Sequence, residues 1–243
     1  NNGMTLDGSS SGIWAEGHGI YTENSAGYSR IYNNIFLNNF NYSGQFYGVS
    51  GAYVGGDLQN NTFGNAGSPM GAVTSSARRN FNVLAGPDAV QSATLTFNNN
   101  YCFQPFNAFG GAVALLGYGA GIGTVTATGN YFVGAPHSLR MQVVNAVTLT
   151  GNKFYNTSSA FGDSEVFIDS PIPTGTWDNN TYYNATGKSY FVVTGGDFYQ
   201  FAAWKTATGY DAASTTTAGA MPDTAIVVPN SYETGRANIV IYA

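Results

Sequence analysis

The sequence predicts an all-β protein that folds as a parallel β-helix, a solenoid whose turns are joined by an asparagine ladder. An asparagine, usually followed two residues later by an aromatic side chain, recurs at spacings of 22 to 39 residues. Repeats of that length are typical of solenoids. The preceding residues alternate between apolar and polar types, as in Val147-Thr148-Leu149-Thr150, which is the period of a β-strand. The ladder positions are Asn34, Asn61, Asn100, Asn130, Asn152 and Asn180.

An asparagine suits each corner because it tolerates a left-handed backbone and because its amide both donates and accepts hydrogen bonds. At the strand spacing of about 4.8 Å, each amide can bond to the amides above and below it. We expect the aromatic residues after the asparagines to stack inside the solenoid, and Tyr101 or Phe103 to fill the space beside the smaller Cys102. The predicted stack consists of Phe36, Phe63, Phe132, Phe154 and Tyr182.

Residues 1–196 are predicted to form the turns of the solenoid. Residues 197–243 are predicted to pack on it as a short helix, a linker and terminal strands, within one domain. The segment 41–56 is rich in Tyr and Gly and is expected to loop outward. Because the chain begins Asn1-Asn2-Gly3 without an initiating Met, it is expected to be the mature part or a fragment of a longer precursor.

The C-terminal segment carries helix signals. Asp197 is predicted to cap a helix over 197–208, with Gln200 completing a capping box and Gly209 past the helix end. Its apolar face would present Phe198, Phe201 and Trp204, which follow one another at helical spacing. After a Ser/Thr/Ala/Gly-rich linker over 212–222, the runs 225–230 and 237–242 are strand-like.

Composition excludes several classes of function. The net charge of −5 and the pI near 4.7 argue against nucleic-acid binding, for which a basic surface is expected. No apolar run is long enough for a membrane span. Cys102 is the only cysteine, so an intrachain disulfide is impossible. The scarcity of charge and the wealth of Asn, Thr, Ser, Gly and Tyr favour a secreted, extracellular protein.

Several motifs resemble those of bacterial secreted right-handed parallel β-helix repeat proteins, the pectate-lyase-like superfamily in the broad sense. They cover most of the chain and are most specific in its C-terminal third. The resemblance implies a right-handed coil, an extracellular setting and a carbohydrate ligand. The polygalacturonase pattern is not matched, because Tyr32 follows Arg30-Ile31 and the chain has no Asp-Asp pair. The motifs are 18–21 with Asn24, 179–183, 198–204, 208–211 and 229–237.

The predicted catalytic residues lie near the start of the chain. Glu16, His18 and Glu23 fall on one opening turn, and cleavage of a polysaccharide needs an acid and a base beside the sugar. Arg30 would neutralise a uronate. The alternative interpretation is that His18, between two glycines, only packs or bonds at a tight bend.

Substrate-binding residues are predicted among exposed aromatic and cationic side chains. The rings of Trp14, Tyr42, Tyr47, Tyr53 and Tyr118 lie in Gly-rich segments and could stack on sugar faces, although loop packing would explain them equally well.

A second polar group could bind substrate through Arg140 and Lys153, with His137 nearby, although isolated surface ion pairs would explain these charges as well. Asp163, Glu165 and Asp169 could supply oxygens to calcium. The EF-hand pattern is absent, so no cofactor or metal is predicted.

Two functions fit these observations. The first is an extracellular protein that binds a polysaccharide or cell-surface glycan and could also cleave it as a lyase or glycosidase. The second is a non-catalytic structural protein, a fibre or adhesin subunit that assembles end to end. Its basis is that an uncovered solenoid end presents unpaired strand edges, which recruit further chains.

Overall fold

The computed structural model describes residues 4–6, 13–15, 17–24, 26–39, 41–47, 53–66, 81–84, 92–104, 111–157, 163–169, 171–184, 190–195 and 197–243. The first nine strands are β1 Met4–Leu6, β2 Ile13–Ala15, β3 Ile20–Glu23, β4 Ser29–Tyr32, β5 Ile35–Leu37, β6 Gly44–Tyr47, β7 Gly55–Gln59, β8 Thr62–Gly64 and β9 Phe81–Leu84. The next nine are β10 Ser92–Asn98, β11 Tyr101–Gln104, β12 Ala114–Tyr118, β13 Ile122–Thr128, β14 Tyr131–Gly134, β15 His137–Met141, β16 Val144–Thr150, β17 Lys153–Asn156 and β18 Ser164–Ile168. The remaining elements are β19 Thr174–Asp178, β20 Thr181–Asn184, β21 Phe191–Val193, β22 Asp197–Tyr199, α1 Phe201–Thr208, β23 Thr215–Ala218, β24 Thr224–Pro229 and β25 Ala237–Tyr242.

Consecutive strands from β3 to β21 go to three different sheets in rotation, and every third strand returns to the same sheet. The first sheet has the order β3-β6-β9-β12-β15-β18-β21-β22, the second β4-β7-β10-β13-β16-β19, and the third β5-β8-β11-β14-β17-β20-β23. Apart from the antiparallel pair β21–β22, the strands within these sheets are parallel. This three-sheet stack is all-β and is compatible with a β-helix-like solenoid.

The six predicted ladder asparagines form one row at the turns between the second and third sheets. The side-chain amide of each donates to Oδ1 of the next, from Asn34 to Asn180, over 2.9 to 3.4 Å. Asn61, Asn100, Asn130, Asn152 and Asn180 are buried. Because each buried amide bonds to its neighbours, the row links successive turns of the stack.

The left-handed backbone predicted at the ladder residues lies one position earlier. Positive φ angles of 52 to 66° occur at Asn33, Asn60, Asn99, Gly129, Gly151 and Asn179. Asparagine and glycine tolerate this region best, which explains why each ladder residue follows an Asn or a Gly. The turn therefore needs two residues with separate roles, one for backbone conformation and one for the hydrogen-bonded row.

Aromatic rings stack on one another inside the three-sheet body as predicted, with one difference at the third repeat. The gap beside Cys102 is filled by Phe97 of β10, whose ring lies 6.1 Å from Phe63 and 5.9 Å from Phe132. The expectation for Tyr101 and Phe103 is wrong, since both belong to the outer side of the third sheet, where Phe103 is exposed. The other stacked pairs are Phe36–Phe63, Phe132–Phe154 and Phe154–Tyr182.

Helix α1 covers the last turn of the stack, and its start differs from the prediction. Asp197 lies in β22, and Gln200 occupies the N-cap without a side-chain capping bond. The C-terminal prediction is confirmed, because Gly209 has φ 74° and its N–H bonds back to the helix. Phe198 is exposed on β22, while Trp204 is fully buried against Trp177 and Phe191. The helix thus closes this end of the three-sheet body by burying the Trp204 indole.

The segment after the helix is more ordered than the predicted linker, because β23 within it pairs with β20 and extends the third sheet. Strands β24 and β25 then form an antiparallel hairpin that runs back along the outside of this sheet. The carbonyl of Pro229 accepts a hydrogen bond from Asn33 at 2.8 Å, and Tyr242 stacks on Tyr131 at 5.4 Å. A cavity of about 750 Å³ lies between the hairpin and the third sheet. Its lining includes Ile35, Leu37, Phe103, Tyr155, Val240 and Tyr242.

Candidate functional site

The outer face of the first sheet carries one register column that crosses six of its strands. Paired Cα positions connect Tyr21, Gln45, Asn82, Leu115, Arg140 and Phe167 in that order. Their strand neighbours, such as Phe46, Leu139 and Val166, lie in the core. By strand alternation the described side chains of the column, those of Tyr21, Gln45, Leu115, Arg140 and Phe167, therefore lie on the outer side of the sheet. The five strand spacings span about 24 Å. We call this row the outer column; Leu115 in its middle is buried.

An aromatic cluster of His18, Tyr21, Tyr42 and Tyr47 surrounds the N-terminal end of the outer column. The His18 ring lies 5.1 Å from Tyr21 and 5.6 Å from Tyr42, and Tyr21 lies 6.4 Å from Tyr47. His18 Nε2 is 3.0 Å from Oε1 of Gln45, which fixes the imidazole beside the sheet. Tyr21 is 42% exposed. The cluster therefore offers an aromatic surface together with polar atoms.

A short hydrogen bond links the cluster to a carboxylate. The Tyr21 hydroxyl donates to Oε1 of Glu23 at 2.5 Å. Partial burial and this bond raise the pKa of the Tyr21 phenol well above its ordinary value, because both disfavour the phenolate. Tyr21 is therefore a hydrogen-bond donor at neutral pH, and Glu23 is the acceptor that holds it.

An arginine cluster lies at the other end of the outer column. The guanidinium of Arg140 donates to both carboxylate oxygens of Asp169, at 2.9 and 3.0 Å. It also lies 5.0 Å from the ring centroid of Phe167, and His137 contacts the same ring at 4.7 Å. The Thr194 hydroxyl donates to Asp169 at 3.2 Å. The bidentate geometry makes this ion pair stronger and more directional than a simple charge contact.

The structure describes three of the four predicted catalytic residues. His18 and Glu23 both border the aromatic cluster. Arg30 lies on β4 of the second sheet, where it is exposed and aligned with Asp57, so its role in neutralising a uronate stays a prediction. Glu16 is outside the described residues. Among the described residues, this end of the first sheet thus holds one predicted base and one predicted acid, without the predicted cation.

The predicted substrate-binding aromatic residues fall into two groups, those near the surface of the first sheet and one in the core. Tyr42 and Tyr47 belong to the aromatic cluster, and Tyr118 is 52% exposed at the end of β12 in the same sheet. Tyr53 is fully buried and packs edge-on against Phe46 at 5.9 Å. Its assignment to a sugar-binding surface is therefore wrong.

The segment 41–56 was expected to loop outward, yet β6 lies within it and pairs with β3 and β9. Trp14 lies on β2, and its side chain is outside the described part of the structure.

The two predicted cations are on different sheets. Arg140 faces outward from the first sheet, whereas Lys153 lies on β17 of the third. Lys153 donates to the Tyr131 hydroxyl at 2.8 Å and lies 4.7 Å from its ring centroid. Lys153 therefore does not share a site with the outer column.

The acids considered for calcium do not gather. Asp169 is bonded to Arg140, and Glu165 is fully buried on β18. No group of three or more His, Cys, Asp or Glu side chains that could hold a metal ion occurs within the described residues. A search of the same residues also finds no helix with the length and hydropathy of a membrane span.

Sequence reasoning missed three contributors to the site. Tyr21, Gln45 and Phe167 alternate with core residues on β3, β6 and β18. The alternation could be seen in the sequence. The sequence did not show which strands are neighbours, because the intervals between turns are irregular.

The C-terminal end of the stack bears on the expected end-to-end assembly. The backbone N–H of Asp211 bonds to the carbonyl of Trp177 on edge strand β19, and Tyr210 stacks on the Trp177 ring at 5.6 Å. These contacts cover Trp177, whereas Thr174, Gly175 and Thr176 of the same strand are exposed, so end-to-end assembly stays a prediction.

Fold and site together describe an all-β protein of stacked parallel sheets with an aromatic and polar outer column. The chain matched no protein-family model, no curated protein and no solved structure. The resemblance to pectate-lyase-like repeat proteins therefore remains a prediction from sequence motifs.

Proposed function

We propose that the protein is a secreted, right-handed parallel β-helix that binds an extracellular polysaccharide along the outer face of its first sheet. The observation that carries the proposal is the aromatic cluster, in which Tyr21 and Tyr47 flank Glu23 and Gln45 at the start of the outer column. Exposed aromatic rings next to hydrogen-bonding side chains suit sugars, which have apolar faces and polar hydroxyl edges.

The direction of the column also supports a polymeric ligand. It crosses six strands, and the aromatic and arginine clusters lie at its two ends. Because Leu115 between the clusters is buried, a ligand that reaches both must extend about 24 Å along the axis of the stack and pass outside the residues that cover Leu115. A polysaccharide has this length and repeats its contacts, whereas a single sugar could occupy only one cluster.

Cleavage would depend on Glu23 and His18, the predicted acid and base that border the same cluster. A β-elimination needs a cation that neutralises the uronate carboxylate beside its base, and Arg30 lies on the second sheet. Hydrolysis ordinarily uses two carboxyl groups, and Glu23 is the one that the described residues place there. We therefore propose binding as the function, and cleavage is tested alongside it.

The experiment is a glycan array followed by titration of each hit, with an ultraviolet assay for unsaturated uronates and a reducing-end assay for hydrolysis. Tyr21→Ala and Tyr47→Ala should each weaken binding about 3- to 10-fold, the effect of one aromatic contact. Tyr232→Ala is the matched control, because Tyr232 is 70% exposed on the distant hairpin turn. Binding to none of the neutral and acidic glycans, or equal losses in all three variants, would refute the proposal.

A second candidate function is structural assembly, through the side of the molecule instead of its ends. Alternate residues of the hairpin present an apolar outer face, with Val227, Ile239 and Ile241 between 64% and 68% exposed. In a chain of net charge −5, two copies could meet at this uncharged face without burying charge. Sedimentation over a concentration series tests this candidate. A monomer at every concentration, unchanged by Ile239→Thr, would refute it.

A further inference from the structure

We infer that the outer column takes an uncharged polysaccharide and rejects polyanionic ones, and that Asp169 sets this preference by neutralising Arg140. The inference rests on the proposed function, since it names the class of sugar that the same face binds. It concerns the ion pair at the C-terminal end of the column.

Arg140 uses one side of its guanidinium to bind Asp169. Its Nε and Nη2 atoms donate to the two carboxylate oxygens of Asp169 at 3.0 and 2.9 Å. One face of the guanidinium lies over Phe167 at 5.0 Å. The Nε–Nη2 side of the guanidinium is thus occupied by a carboxylate of the protein, whose negative charge offsets the positive charge that would attract a uronate.

Asp169 is held in that position by a second donor. The Thr194 hydroxyl bonds to its Oδ1 at 3.2 Å, and the Arg140 and Asp169 side chains are only 27% and 21% exposed. Partial burial reduces screening by solvent and salt. A uronate bound at the other side of the guanidinium would lie near the Asp169 carboxylate and be repelled by it.

The other end of the column also disfavours anions. Glu23 is the charged group of the aromatic cluster, and it accepts from Tyr21. Glu23 and Asp169 together carry two negative charges, against the one positive charge of Arg140. Gln45, Thr194 and the tyrosine hydroxyls are uncharged polar groups that can bond to sugar hydroxyls. The face is therefore complementary to a neutral, hydroxyl-rich chain.

The central comparison is between polygalacturonate and its carboxyl-reduced form, which share one linkage and differ in charge. Neutral glucans, galactans and mannans, and the acidic polymer alginate, complete the panel. Wild-type protein should bind one or more neutral polymers with little salt dependence, and should bind the uronates several-fold more weakly than its best neutral ligand. A wild type that prefers the uronates would overturn the inference.

Asp169→Asn keeps the size of the side chain and removes its charge. It should raise affinity for polygalacturonate roughly 2- to 5-fold at low salt, the strength of a solvent-accessible charge pair, and added salt should reduce this gain. The matched control is Glu233→Gln, which makes the same change of net charge at the Arg236–Glu233 pair on the hairpin turn. An equal gain in both variants, or no gain in Asp169→Asn, would contradict the role of Asp169.

Three outcomes of these experiments can be told apart. If Asp169→Asn does not fold, as judged by circular dichroism, the wild-type comparison of neutral with acidic polymers still decides the sugar class. If the wild type binds no polymer at all, the proposed function fails and this inference fails with it. Binding that prefers uronates refutes the inference while leaving the proposed function intact.

Discussion

The indole Nε1 of Trp204 donates a hydrogen bond of 2.9 Å to Oδ2 of Asp211, and both side chains are fully buried. Asp211 also accepts from Ser214 at 2.6 Å, from the Tyr182 hydroxyl at 3.2 Å and from the Asn180 amide at 3.2 Å. One carboxylate therefore accepts hydrogen bonds from the last asparagine of the row, from helix α1 through Trp204, and from Ser214 in the last turn of the stack.

Replacing Asp211 by Ala should destabilise the protein by about 3 kcal/mol or more, because it leaves several buried donors without an acceptor. Ala would also occupy a left-handed position, where Asp211 has φ 58°. Asp211→Asn is the matched variant, since it tolerates this backbone and keeps one oxygen, and it should cost about 1–2 kcal/mol. Urea unfolding followed by tryptophan fluorescence measures both losses. Equal stability of the Ala variant and the wild type would contradict the role of this carboxylate.

The aromatic stack shows how far the sequence could predict the interior. Five of its members follow ladder asparagines and were found from spacing alone. Phe97 was missed because it lies before its asparagine, on β10. Its ring reaches from the second sheet into the space beside Cys102 of the third sheet. Such compensation depends on three-dimensional packing density, which a repeat pattern along the chain does not contain.

Phe97→Ala should therefore cost about 3–5 kcal/mol, as expected for a cavity between two buried rings. Phe103→Ala is the control, because Phe103 is 40% exposed on the outer side of the third sheet, and it should cost no more than about 1 kcal/mol. Chemical denaturation compares the two. Equal losses would mean that Phe97 does not complete the stack.

Position along the asparagine row should also decide the cost of losing a side chain. Asn130 is buried, donates to the Phe97 carbonyl at 2.6 Å and accepts from the Asn100 backbone at 2.8 Å. Asn130→Ala should cost about 2–4 kcal/mol, since it leaves buried groups unpaired above and below. Asn34 is exposed at the end of the row, so Asn34→Ala should cost less than about 1 kcal/mol. Thermal or urea unfolding gives both values, and equal costs would show that burial of the row is unimportant.

The candidate site was less predictable than the fold. His18, Glu23, Tyr42 and Tyr47 were identified from residue type, and they do meet on one face. Arg30 was placed with them because it is close in sequence, yet a few residues are enough to move from one sheet to the next. Proximity along the chain is a poor guide in a structure whose neighbouring strands are 22 to 39 residues apart.

Alkaline pH should destabilise the protein through buried tyrosines. Burial raises the pKa of Tyr182 and of Tyr242 well above the ordinary value of 10.0, so above that pH the unfolded chain releases protons that the folded chain retains. The free energy of unfolding should therefore be level below pH 10 and fall above it, by up to about 1.4 kcal/mol per pH unit for each such tyrosine. Tyr242→Phe should reduce this slope, whereas Tyr232→Phe, at a 70% exposed position, should leave it unchanged. Urea titrations at a series of pH values measure the slopes, and a slope that Tyr242→Phe leaves intact would show that this phenol ionises as readily in the folded protein as in the unfolded chain.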